Sequence, residues 1–268
     1  MRKLTGSMNT SRGSLARSAA LFAKSLWPLA LLAFWVDPSW ADTAPPLYPK
    51  MAPIDQYLSA SPAVEIAMAK TAAPKSVSDN ATVMVLTKTG YETAVNGSNG
   101  FVCFIERSWS KDFGNPEFWD PHDYTPQCWN AAAVSSVLPE YLKRTQWVLA
   151  GISQEEMAAR TKAAWASHEF RPPAPESVAF MMSKDQYIND PQPGAPSNWY
   201  PHIMFFVPAT EDSKWGANQH GSPIFSTTSA VDPITTFFVV APKWSDGSLG
   251  PYVAAPAAAT GKPETHHH

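Results

Sequence analysis

The order of apolar runs along these 268 residues predicts an α+β domain: one antiparallel sheet of about six strands, helices on one face, and long loops rich in proline and tryptophan. Three observations carry that reading. Strand-like and helix-like segments fall in blocks, three strands, then helices, then three more strands, and not in the strict alternation that builds a parallel sheet. The 26 prolines exclude a long helical bundle, because an interior proline removes a helix hydrogen bond and clashes with the preceding turn. A composition that is 44% hydrophobic and 16% charged supports a buried core and excludes a disordered polyelectrolyte.

The first segment reads as an address. Arg2, Lys3, Arg12, Arg17 and Lys24 precede the apolar run Leu26 to Val36, and Ser39-Trp40-Ala41 supplies the small residues of a cleavage site, the pattern of a secretory signal over 1–41. The 11-residue run falls short of the about 20 residues a spanning helix needs. No cysteine precedes Cys103, so lipid anchoring at the cleavage site is not expected. The expectation is an exported, soluble protein, periplasmic or extracellular, with no stable membrane insertion after processing. Residues 1–41 hold five of the 20 basic and one of the 23 acidic residues, so the remainder carries a net charge of −7. A mildly acidic chain without a basic stripe excludes a nucleic-acid footprint. The terminal His266 to His268 are set apart from any site argument.

Pro45, Pro46, Pro49 and Pro53 make 42–59 an extended arm, and 60–252 the single α+β domain. Ser61 is placed to cap a helix with Pro62 at its first position, ending before Pro74. Strand signals over Thr82–Thr87, Tyr91–Val95 and Phe101–Arg107, separated by Gly90 and by Asn96 to Gly100, predict an antiparallel meander. From Ser108 to Cys128 the aromatic residues Trp109, Phe113, Phe118, Trp119 and Tyr124 lie among prolines, a long covering loop whose length is unusual in a compact domain. Asn130 caps a short helix, a second runs from Pro139 to Leu149, and Ser153 with Glu156 forms a capping box flanked by the staple pair Ile152 and Met157. Val178–Met182, Ile203–Val207 and Thr236–Ala241 are too short and too apolar for surface helices and read as buried strands. The Ala/Pro tail 253–268 reads as disordered.

Cys103 and Cys128 are the only cysteines. In an exported chain they read as a disulfide, since no Cys-x-x-Cys spacing supports a redox role and Cys103 sits in an apolar run.

The chemistry-bearing residues form no sequence motif. Ser108–Lys111, Ser78–Asn80 and Lys88–Gly90 match the S-x-x-K, S-D-N and K-T-G elements of serine beta-lactamases and penicillin-binding proteins. Their order is reversed and they crowd into 78–111, so that similarity is set aside. No nucleophile elbow, zinc-protease helix or phosphate loop is present, and no catalytic residue or cofactor is identified. Two histidines that flank predicted strands, His202 and His220, together with Glu106, are the candidate metal or acid–base set, because imidazole and carboxylate are competent ligands. Trp109, Trp119, Trp199 and Trp215 stand in predicted loops and are candidates to stack on a ligand.

The stretches Asn99-Gly100-Phe101-Val102-Cys103-Phe104-Ile105-Glu106-Arg107-Ser108-Trp109, Leu138-Pro139-Glu140-Tyr141-Leu142-Lys143-Arg144 and Pro201-His202-Ile203-Met204-Phe205-Phe206-Val207-Pro208 resemble segments of uncharacterised exported bacterial proteins of no assigned function. That resemblance implies a bacterial, exported, single-domain protein and brings no activity, ligand or catalytic residue. Two functional readings follow from the sequence. One is an exported domain that binds a small or apolar ligand, or an envelope protein partner, through its aromatic loops. The other is a secreted enzyme, a metal-assisted hydrolase using His202, His220 and Glu106.

Overall fold

Where local chemistry is strong, the chain does what its residues dictate. Ser61 Oγ accepts the Val64 amide at 3.3 Å and Pro62 opens α1 (Pro62–Lys70), and Pro74 starts the single turn α2 (Lys75–Ser78). The computed structural model describes residues 48–186 and 200–251. The segment read as a signal, residues 42–47 of the arm, the tail 253–268 and Trp199 all lie outside the described residues. The remaining elements are β1 (Thr82–Thr87), β2 (Gly90–Val95), β3 (Val102–Glu106), β4 (Thr125–Trp129), α3 (Ala131–Ser136), α4 (Leu138–Leu149), α5 (Gln154–Ala166), β5 (Val178–Met181), β6 (His202–Pro208), β7 (Ile224–Thr228) and β8 (Ile234–Val240). Asn130 caps α3 through the Ala133 amide and Ser153 caps α5 through the Glu156 amide. The Glu156 carboxylate turns outward to Arg160 at 2.9 Å. Ile152 and Met157 both join the core, as a hydrophobic staple requires.

The eight strands form one sheet in the order β2-β1-β3-β4-β5-β6-β8-β7. The sequence predicts about six, and the two additional strands are β4 and β7. β4, Thr-Pro-Gln-Cys-Trp, lacks alternation and contains a proline, yet every residue in it is buried. Its ladder to β5 is confined to Cys128 and Trp129, so Pro126 sits beyond it, where a missing donor is tolerated. β7 is an edge strand with mostly exposed or half-buried residues and therefore carries little hydrophobic signal.

The predicted meander is also corrected. β1 and β2 pair as an antiparallel hairpin, but β3 lies on the other side of β1 and runs parallel to it. β2 presents Glu92, Thr93 and Ala94 to solvent and is left at the edge, while the apolar β3 takes the interior position between β1 and β4. The crossover passes close over the start of β1. Ser98 donates to the Asn80 carbonyl at 2.8 Å, and a Cβ on Gly97 would stand 2.1 Å from the Thr82 amide nitrogen, so only glycine fits there.

The helices do not share one face. Along β3, Cys103 and Ile105 pack with Ala69, Ala72 and Ala73 at and just beyond α1. Phe104 points to the opposite side against Tyr141 of α4, with ring centroids 5.6 Å apart. Successive strand residues alternate faces, so α1 covers one side, and α3, α4 and α5 with the aromatic loop cover the other. Cys103 and Cys128 are directly opposed in the β3–β4 register and are joined by a disulfide.

A buried ion pair ties these layers together. Arg107, fully buried, donates two 3.0 Å bonds to Glu65 of α1, one at 2.7 Å to the Tyr57 carbonyl and one at 2.6 Å to the Ile105 carbonyl. Glu65 also accepts the Leu86 amide of β1 at 2.9 Å. The guanidinium lies over the Tyr124 ring, 4.4 Å from its centre. These contacts fix the end of β3, where Glu106 sits.

Candidate functional site

Period-two alternation delivers one row of side chains per strand to the α4 side of the sheet. Glu106 comes from β3, Gln127 and Trp129 from β4, Met181 from β5, Met204 and Phe206 from β6, and Thr236 and Phe238 from β8. With Glu140, Tyr141 and Arg144 of α4 they enclose a cavity of about 300 Å³. The loop after β3 contributes Ser110, Lys111, Asp112 and Asp123, and Asp232 enters from the turn between β7 and β8. One wall is thus made of rings and thioethers and the other of carboxyl groups.

The carboxyl groups are held by donors of fixed sense. The Trp129 indole N–H can only donate and does so to Gln127 Oε1 at 2.6 Å, which turns the Gln127 amide nitrogen onto Glu106 Oε2. Burial pushes the Glu106 carboxyl up to about 8. Hydrogen bonds from Ser110 and Gln127 and the charge of Arg144 act against that rise, and neighbouring Asp123 adds to it. Glu106 is therefore a protonated carboxylic acid at neutral pH. Asp123 is raised to about 6 by burial, against the pull of Lys111, whose Nζ is 2.7 Å from Asp123 Oδ2 and 2.8 Å from Glu117. Glu140 is raised by burial and by the adjacent Asp232, with Arg144 and the Trp165 indole opposing.

Arg144 anchors the loop. Its Nη1 donates to the carbonyls of Trp109, Ser110 and Lys111 at 3.2–3.3 Å, and its Nη2 faces Glu140 and Asp232 at 3.4 and 3.3 Å. Three polar atoms of the cavity wall have no partner among the described residues: Asp123 Oδ1, Asp232 Oδ1 and Arg144 Nε. Buried polar atoms are seldom left unsatisfied, and these three border the same cavity.

The predicted site residues are dispersed. Glu106 lines the cavity. His202 is buried on β6, its Nδ1 2.8 Å from the Tyr200 carbonyl, and burial lowers it to about 4, leaving a neutral imidazole. His220 is exposed in the loop before β7. Among the described residues no group of three or more His, Cys, Asp or Glu side chains is placed to hold a metal ion.

Trp109 is wholly buried, donates to Thr145 Oγ1 at 3.0 Å and lines neither cavity. Trp119 packs edge-on to Phe118 and borders a second cavity beside the start of α5. Trp215 is 52% exposed and stacks on Phe237, on the sheet face opposite Phe238 and the cavity. The long loop thus gives its rings to the core and its polar side chains to the cavity.

Glu140, Arg144, Asp123 and Asp232 line the cavity without forming a motif in the sequence. Glu140 and Arg144 carry the one available signal: charged residues four apart whose side chains fall in the same arc of α4 as the buried Tyr141 and Val148. Comparison with protein-family models, with curated proteins and with solved structures finds no match to this chain.

Proposed function

We propose that the protein is a small-molecule-binding domain and that the cavity between α4 and the sheet is its ligand site. The observation that carries this reading is the coincidence, in one cavity of about 300 Å³, of an apolar wall with buried carboxyl oxygens that lack partners. Binding sites combine a largely apolar lining with a few placed polar groups. The ligand that fits has an apolar body and a hydrogen-bond-donating end. The enzyme reading built on His202, His220 and Glu106 has only Glu106 in this wall and is not adopted. The disulfide and the basic-then-apolar N-terminus support export to an oxidising compartment. Among the described residues no helix is long and apolar enough to cross a membrane.

The test is native mass spectrometry of protein purified from its own source without an affinity tag, compared with Met204→Trp. Met204 is a buried residue of the cavity wall, and an indole there fills the space. A retained small molecule in the wild type that is lost in the variant supports the proposal. Equal retention by both places the ligand elsewhere and overturns it.

A further inference from the structure

We propose that the cavity selects organic ammonium ions, with the apolar part of the ligand against Trp129, Tyr141 and Phe206 and its positive charge among Glu106, Asp123 and Asp232. This inference rests on the cavity being a ligand site and adds the chemical class it takes.

Charge balance is the first argument. Five carboxyl groups line the cavity, Glu106, Asp112, Asp123, Glu140 and Asp232, against two cations, Lys111 and Arg144. Both cations are already engaged. Lys111 bridges Asp123 and Glu117, and both Nη atoms of Arg144 are taken by Glu140, Asp232 and three carbonyls, which leaves Nε alone. An anionic ligand meets an excess of carboxyl groups with few free donors, whereas a cation meets acceptors.

Unfilled acceptors are the second argument. Asp123 is 3% exposed, yet its Oδ1 has no donor among the described residues, and neither has Asp232 Oδ1. An ammonium group carries several N–H donors and no acceptor, the complement of this set. The aromatic wall is the third argument, because a cation is attracted to the face of Trp or Tyr, most strongly where water is excluded.

The protonation of the wall agrees with these three. In the free protein the proton on Glu106 supplies the charge that no side chain provides. Ser110, Asp123, Gln127 and Arg144 act directly on Glu106, Lys111, Asp120 and Glu117 act on Asp123, and Arg144, Trp165 and Asp232 act on Glu140. When the ammonium ion enters, the Glu106 O–H bond breaks, the carboxylate pairs with the ligand N–H, and the proton passes to the buffer. No covalent bond to the ligand forms.

The experiment is isothermal calorimetry on the full chain with phenethylammonium, 2-phenylethanol and phenylacetate, matched probes that differ in charge. Phenethylammonium is expected to bind at least about tenfold tighter than the alcohol, with phenylacetate weakest. One released proton raises affinity by up to about tenfold per pH unit below the Glu106 titration, so binding at pH 8 exceeds that at pH 6 by at least about tenfold. The observed enthalpy then changes with the ionisation heat of the buffer. Glu106→Gln reduces the pH dependence, the remainder coming from Glu140, and Asp123→Asn weakens the ammonium probe selectively should the first variant fail to fold. Equal affinity for the alcohol or for phenylacetate overturns the cation inference and leaves the cavity a ligand site. Failure of all three probes, with a neutral or anionic molecule retained in native mass spectrometry, also overturns it. Failure of all three with nothing retained removes the ligand-site reading itself.

Discussion

Replacing Glu106 with glutamine should alter how the stability of this protein depends on pH, in a direction opposite to that of an ordinary salt-bridged carboxylate. Glu106 is 8% exposed, and burial raises it from 4.5 to about 8 in the folded chain. Between those two values the unfolded chain has lost the proton and the folded chain keeps it. The contribution of Glu106 to stability is therefore fully present below pH 4.5, declines as pH rises, and levels off above about 8. Each pH unit in that window is worth about 1.4 kcal/mol, so about 5 kcal/mol is at stake across it and about 3 kcal/mol by pH 7. The side chain of the Glu106→Gln variant is neutral in both states and lacks this slope. Its constant cost, from presenting an amide where Gln127 and Ser110 expect acceptor oxygens, does not vary with pH. Urea unfolding followed by tryptophan fluorescence at pH 5, 6, 7 and 8 should show the variant gaining on the wild type by about 3–4 kcal/mol over that range. The contributions of Asp123 and Glu140 are common to both proteins and cancel in the difference. Parallel profiles for the two proteins would refute the argument, since they would mean that Glu106 is ionised in the folded state.

Glu65→Gln leaves Arg107 buried without its counter-charge and should destabilise the chain by about 3–5 kcal/mol in chemical denaturation; a loss below about 1 kcal/mol would show that the remaining contacts of Arg107, with two carbonyls and the Tyr124 ring, suffice. Cys103→Ala with Cys128→Ala opens a connection of 25 residues and should cost about 3 kcal/mol in the chain-entropy account. Intact-mass measurement after thiol alkylation without reduction checks the bond directly, and labelling of either cysteine in freshly isolated protein would contradict it.

Legibility in the sequence followed the range of the interactions involved. Ser61, Asn130 and Ser153 announce helix starts because a cap is made with an amide three residues on, and the apolar runs of β1, β3, β5, β6 and β8 announce themselves by composition. β4 was hidden because its burial comes from neighbours on both sides, β3 and β5, and not from its own pattern. The parallel placement of β3 depends on the close passage of Gly97 over Thr82, which no local propensity encodes. At the site, Glu106 was legible as an acidic residue ending an apolar strand. Asp123, Glu140 and Asp232 were not, since each is ordinary in its own segment and becomes unusual only when buried beside the others.

The sequence alone determined the class of fold, the helix starts, the cysteine pair and the acidic balance of the chain, because these rest on composition and on contacts between near neighbours. The tertiary structure decided the sheet order, the two-sided covering of the sheet and the cavity chemistry. The reason is physical: a carboxyl group acquires its proton affinity from the solvent it loses and the charges it meets, and for Glu106 those charges arrive from Asp123 and Arg144, on segments far along the chain.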